Sequence, residues 1–142
     1  AFRSGGAIPQ QFSCKGDNTP PPLVWSGVPG GTTSVAVVLT DPDAPNGTFV
    51  HWIVTGLPGS TNGRLDSARP GGGSRTEVNS AGQAGYTGMC PPVGQTHHYT
   101  FEVLALNKRV SYTANATPLD KVKQLRAAAT SGGSVTGTFA NK

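Results

Sequence analysis

Three stretches concentrate the side chains that could do chemistry. The first is Asp41-Pro42-Asp43-Ala44-Pro45, which closes a β-branched run. Two carboxylates spaced two apart project to one side of an extended chain, where they can orient an imidazole, meet an ammonium group or exchange protons. The plain alternative is turn chemistry, because Asp readily bonds its own backbone. The second is His51, beside Trp52 within an apolar run. A lone histidine there is more often a satisfied core group than a ligand contact. The third runs from Cys90-Pro91-Pro92 to His97-His98-Tyr99. Strand alternation aims His97 and Tyr99 one way and His98 the other. A His and a Tyr side by side offer two neutral donors for phosphate or carboxylate oxygens. They serve equally as a cross-strand packing pair.

These residues need rigid supports, and the chain supplies strand patterns on either side of them. Thr33 to Asp41 and Phe49 to Leu57 are short, β-branched, apolar and bounded by turn residues, as buried strands are. His97 to Asn107 alternates cleanly: His97, Tyr99, Phe101, Val103 and Ala105 share one face, and His98, Thr100, Glu102, Leu104 and Leu106 the other. Short strands are expected at Leu23 to Trp25 and at Ser134 to Phe139. One helix is expected over 117–130. Thr117 caps it, Pro118 suits its first turn, Asp120 suits its positive end, and Leu119, Val122, Leu125 and Ala129 form its apolar stripe. Ser131-Gly132-Gly133 reads as its stop. Pro58 to Met89 reads as one long glycine-rich loop, either functional or a surface insertion.

Composition agrees with this. The 142 residues include 20 Gly and 12 Pro but only 13% charged residues, which favours strands, turns and long loops over helices. Hydrophobic residues make up 35% and fall in compact runs, which excludes a disordered chain. One domain, 1–142, is expected, with no internal repeat. The net charge of +4 comes from basic residues scattered along the chain, without the clustered footprint that nucleic-acid binding needs. No apolar stretch approaches a membrane span. The two cysteines, Cys14 and Cys90, lie in turn-rich stretches, which favours a disulfide over two buried thiols. The chain opens on Ala1 rather than Met, consistent with a removed leader. A secreted, periplasmic or cell-envelope location is expected, with the cytoplasm as alternative. Asn46-Gly-Thr48 and Asn115-Ala-Thr117 read as chance glycosylation matches.

Together the stretches resemble the phosphatidylethanolamine-binding protein family, which includes the Raf-kinase-inhibitor-like proteins. Asp-Pro-Asp-Ala-Pro at Asp41–Pro45, the strand histidine His51, and the Cys-Pro-Pro to His-His-Tyr segment at Cys90–Tyr99 occur here in the family's order. "SCKGDNTPPPLVWSGVP" and "NSAGQAGYTGMCPP" are similar to the bacterial branch in particular. The resemblance covers nearly the whole chain. It implies a mainly β fold: an antiparallel β sandwich with Greek-key connections, one large and one small sheet, and one peripheral helix. It implies a ligand pocket made by Asp41, Asp43, Pro45, His51, Pro91, His97 and Tyr99. The occupant would be a phosphate, a phospholipid head group such as phosphoethanolamine, or a similar small anion. Val93 stands where animal members often carry Lys, and the segment before His97 is one residue shorter. Both departures bear on a kinase-binding role more than on the pocket.

In such a pocket the anion would accept hydrogen bonds from His51, His97, Tyr99 and loop N–H groups, while Asp41 orients a ring or meets a ligand ammonium. Binding would then weaken as pH rises through the histidine range. The expected function is small-anion binding with no cofactor, no metal and no catalysis, and with a regulatory role toward a protein partner. The alternatives are an inhibitor of a kinase or protease acting through its loops, and a small hydrolase using the His/Asp pocket. No His-x-x-x-His, Cys-x-x-Cys or Gly-x-Ser-x-Gly pattern supports the last.

Overall fold

The structure is a computed structural model and describes residues 4–45, 47–68, 70 and 72–141. Its elements follow in chain order: β1 (Leu23–Trp25), β2 (Ser34–Asp41), β3 (Phe49–Pro58), β4 (Gly63–Leu65), β5 (Arg75–Thr76), β6 (Thr96–Leu106), α1 (Pro118–Ala128) and β7 (Ser131–Ala140). Five strands form an antiparallel sheet in the order β5-β3-β2-β6-β7, and β1 pairs with β4 in a small second sheet. After the β2–β3 hairpin and β5, the chain returns to lay β6 beside β2, on the side away from β3. That is a Greek-key crossover. It sets the chain carrying His97 against the strand that ends in Asp41.

Both faces of the central strands are buried, which is why β2 and β3 read as continuous apolar runs rather than alternating ones. One face carries Val35, Val37, Leu39, Trp52, Val54, Tyr99 and Phe101 against the small sheet and the long loop. The other carries Ala36, Val38, Val50, Ile53, Leu104 and Leu106 against Val122 and Leu125 of α1. Each large apolar side chain so buried contributes about 1.5–3 kcal/mol. The β6 alternation divides as expected, with Tyr99 and Phe101 in the first layer and Leu104 and Leu106 in the second. The helix starts as expected: Thr117 accepts from the Asp120 N–H, and the Asp120 carboxylate accepts from the Thr117 N–H.

Two expectations are corrected. The glycines of Ser131-Gly132-Gly133 do not stop the helix; Ala129 is already extended, and both glycines lie within β7, opposite Leu104 and Val103. A Cβ on Gly132 would sit 3.1 Å from the Val103 carbonyl oxygen, a tight contact that would press the two strands apart by a few tenths of an ångström. Nor is the segment from Pro58 to Met89 structureless. It holds β4, which pairs with β1, and β5, which pairs with β3, followed by a bridge between Val78 and Ala84. These pieces are two or three residues long, too short to print a period-2 pattern in sequence.

Cys14 and Cys90 are joined, with S–S 2.01 Å and Cα–Cα 5.5 Å. Of the two glycosylation matches, Asn46 lies outside the described residues. Asn115 adopts a left-handed turn (φ 60°) that leads into the Thr117 cap. Among the described residues no helix is long and apolar enough to cross a membrane.

Candidate functional site

The site is built at one end of the large sheet, where β2 stops. Asp41 Oδ1 accepts the Asp43 N–H at 2.8 Å, which turns the chain sharply after the strand. The two carboxylates therefore diverge instead of sharing a side. Asp41 Oδ2 accepts from His97 Nδ1 at 2.7 Å, with both side chains only 5% exposed. Asp43 Oδ2 accepts from the His98 N–H at 2.8 Å and from His98 Nδ1 at 2.7 Å, and this pair is about half exposed. His97 and His98 point to opposite faces of β6, so Asp41 and Asp43 do too. The His98 side chain holds the Asp43 carboxyl below the usual carboxylate range, helped by the backbone N–H. Asp43 belongs to a solvent-facing clasp that ties the Asp-Pro turn to β6, outside the cleft.

His51 is placed by an irregularity in β3. Leu39 pairs with Trp52 and Thr40 with Val50, which leaves His51 as the extra residue of a β-bulge. Consecutive residues can then face one side: Trp52 joins the Tyr99 layer while the His51 ring lies edge-on to Tyr99 at 5.4 Å. His51 Nδ1–H donates to the Thr87 carbonyl at 2.6 Å. Burial lowers the His51 pKa, against the opposing pull of the Thr87 carbonyl and the Asp41 charge. The ring is thus neutral with its proton on Nδ1, which reverses the donor role expected for it. Burial, reinforced by the Asp41 and Asp43 charges, pushes the Tyr99 hydroxyl far above its ordinary pKa. Tyr99 therefore keeps its proton and donates.

Three asparagines given no role on sequence, two of them (Asn18 and Asn79) within the quoted family-like segments, hold the loops around these groups. Asn79, 1% exposed, shares the two N–H donors of its amide among the His51 carbonyl, the Gly85 carbonyl and Thr87 Oγ1, and its Oδ1 accepts from the Ala81 and Gln83 N–H groups. It fixes the stretch that presents the Thr87 carbonyl to His51. Asn18 accepts from the Gly88 N–H at 3.0 Å, beside the Cys14–Cys90 bridge. Asn141 donates from Nδ2 to the Pro91 carbonyl at 2.8 Å, and its backbone bonds Gly94 and Gln95. Asn in a loop is the ordinary signature of a turn, so nothing in the sequence separated these three from the rest.

The result is a cleft of about 170 Å³ lined chiefly by Asp41, Pro45, Phe49, His51, Thr87, Pro91, Pro92, His97 and Tyr99. Six of the seven expected ligand residues meet there, Asp43 being the exception. No Lys or Arg is among the described residues lining it. Gln95 Oε1 lies 2.9 Å from His97 Nε2, so the outer nitrogen of that ring is capped by an exposed side chain. Among the described residues no cluster of three or more His, Cys, Asp or Glu is arranged to hold a metal. A larger groove, of about 290 Å³, lies between the β1 region and β7. Its described lining residues include no titratable side chain.

Fold and site define a small antiparallel β sandwich with a histidine-lined cleft at the end of its large sheet. The profile of the family described as "Phosphatidylethanolamine-binding protein" matches residues 1–140. The chain belongs to that family. It is 42% identical over 139 residues to LppC of Mycobacterium tuberculosis, whose name proposes a lipoprotein; the match covers 97% of this chain and 68% of LppC. It is 46% identical over 103 residues to the UPF0098 protein YbcL of Escherichia coli, covering 67% of this chain and 56% of YbcL. The crystal structure of YbcL, titled a new member of the mammalian PEBP family, superposes with a TM-score of 0.87 at 33% identity, covering 99% of this chain and 94% of that one. The homologue CT736 from Chlamydia trachomatis gives 0.84 at 29% identity, covering 100% and 94%. The chain therefore spans little more than half to two thirds of the length of these curated relatives.

Proposed function

We propose that this chain is a binding protein whose cleft takes the phosphoryl group of a small ligand, either free or as a lipid head group, without transforming it. The observation that carries this is the meeting of Asp41, His51, His97 and Tyr99 over a wall of prolines. Tyr99 supplies one donor on a rigid frame, and His97, braced by Asp41, supplies a second from Nε2 when a ligand displaces the exposed Gln95 side chain that caps it. Several features favour binding over hydrolysis. Both ring Nδ1 atoms are committed to protein acceptors. Cys90 is in a disulfide, so the cleft offers no thiol nucleophile. Amide chemical-shift mapping with O-phosphoethanolamine tests the reading. Shifts confined to residues 41–51, 87–92 and 95–99 support it, and shifts elsewhere or none refute it.

A protein partner docking at the rim is a second reading. It is favoured by Val93, 77% exposed at the tip of the loop that forms the proline wall. A partner bound there survives His97→Ala; loss of capture in that variant would tie the partner to the cleft instead. An envelope or secreted location is supported by the Cys14–Cys90 bridge and by the lipoprotein name of LppC. Thiol trapping in intact cells, with the two cysteines found oxidised, is the expected result.

A further inference from the structure

The tautomer of His51 restricts what the cleft accepts. The Thr87 carbonyl is only an acceptor, and at 2.6 Å it requires the imidazole proton on Nδ1. In the neutral ring Nε2 is then a bare lone pair. His51 is 5% exposed and lines this cleft, and Nε2 is the ring nitrogen that the Thr87 carbonyl leaves for a ligand. Asp41 from the end of β2 adds a carboxylate, and His97 and Tyr99 from β6 complete the titratable groups facing the ring. The 87–92 stretch contributes none, since Cys90 is bridged. A fully ionised phosphoryl group would press oxygen lone pairs against both Nε2 and Asp41. No Lys or Arg is among the described residues lining the cleft, so only the His97 and Tyr99 donors stand against that repulsion.

We infer that the cleft binds its ligand as a hydrogen-bond donor to His51 Nε2, taking a phosphomonoester as the monoanion with one P–OH and rejecting the dianion. This rests on the phosphoryl-binding reading above and adds the charge state. A phosphodiester head group has no P–OH, so its ammonium N–H must fill the donor role. Burial of His51 acts in the same direction, because it disfavours the charged ring. The pH dependence of binding is then set by the ligand. Phosphomonoesters lose their last proton near pH ~6, and affinity falls as pH rises through that ionisation.

The test is calorimetric titration of the wild-type chain between pH 5.5 and 8 with methyl phosphate and methylphosphonate. The second ionisation of the phosphonate lies at higher pH. The midpoint of affinity loss moves up with the phosphonate if the ligand's proton is the determinant. One common midpoint for both ligands assigns the dependence to a protein group and overturns the inference while leaving the phosphoryl site standing. No binding by either ligand at pH 5.5 overturns both. Glycerophosphoethanolamine, a lipid head group, distinguishes the source: its ammonium stays protonated, so its affinity is flat over this range. A fall along the methyl phosphate curve would contradict the inference. His51→Gln, whose amide can donate, is expected to flatten the methyl phosphate profile by at least about threefold across the range; an unchanged profile in a folded variant counts against the role of Nε2.

Discussion

At the scale of residues, two Asp–His pairs one position apart on β6 have different consequences. Asp41 and His97 are buried together. Removing one partner leaves an uncompensated polar group, so Asp41→Ala should cost about 3 kcal/mol or more. Asp43 and His98 face water, and Asp43→Ala should cost under about 1 kcal/mol. Urea denaturation of the two variants checks the contrast, and similar losses would mean that the pairs are not differently buried. The pH dependence follows the same distinction. The lowered pKa of Asp43 contributes stability that is present above its unfolded value and lost as pH falls through its folded one. The lowered pKa of His51 has the opposite origin: the folded state resists charging the ring. Stability is therefore full above the unfolded histidine pKa of about 6.5 and declines as pH drops below it. Wild type and His51→Gln melts should converge between pH 7 and pH 5; a constant gap would show that His51 charges freely in the fold. His97, Tyr99 and their shared side of β6 were legible from strand alternation. The orientation of Asp43 was not, because a single side-chain bond from Asp41 to the backbone decides whether the strand continues or turns.

Among the elements, most of the regular structure followed from sequence because burial wrote it there. β2, β3 and β6 carry unbroken or alternating apolar runs, and α1 carries a full capping box. The bulge that aims His51 left no mark, since Phe49–Pro58 reads the same with or without one extra residue in the ladder. The loops were the least legible. Their order depends on the local bonds of Asn79 and on longer-range ones, from Asn79 to His51, Asn18 to Gly88, Asn141 to Pro91 and across one disulfide. Asn79→Ala removes two N–H donors and an oxygen that accepts two N–H groups around a buried site, and unsatisfied partners cost about 1–3 kcal/mol each where water cannot replace them. A loss of at least about 3 kcal/mol is expected in urea unfolding, with weakened ligand binding; a loss below about 1 kcal/mol would mean that the 79–87 stretch orders itself. Replacing both cysteines by Ser opens a link between residues 76 positions apart. The chain-entropy cost of that is about 4 kcal/mol, and Cys90 neighbours the proline wall. Both stability and cleft affinity should fall; unchanged affinity in the folded variant would uncouple the bridge from the site.

For the molecule as a whole, the Greek-key crossover explains why residues from four separate segments meet. Asp41 ends β2, His51 lies in its hairpin partner, His97 and Tyr99 enter on the strand that returns beside β2, and the disulfide-tethered proline loop closes the wall. The core on both faces fixes the strand ends, and the strand ends fix the cleft. The central claim is that this cleft binds a phosphoryl group through His97. Calorimetric titration of O-phosphoethanolamine at pH 6 into wild type and His97→Ala tests it most directly. Loss of a hydrogen bond to a charged group is worth about 1.5–3 kcal/mol, so binding to wild type that weakens at least about tenfold in the variant is predicted. Equal affinity for both proteins, or no heat with either, would contradict it.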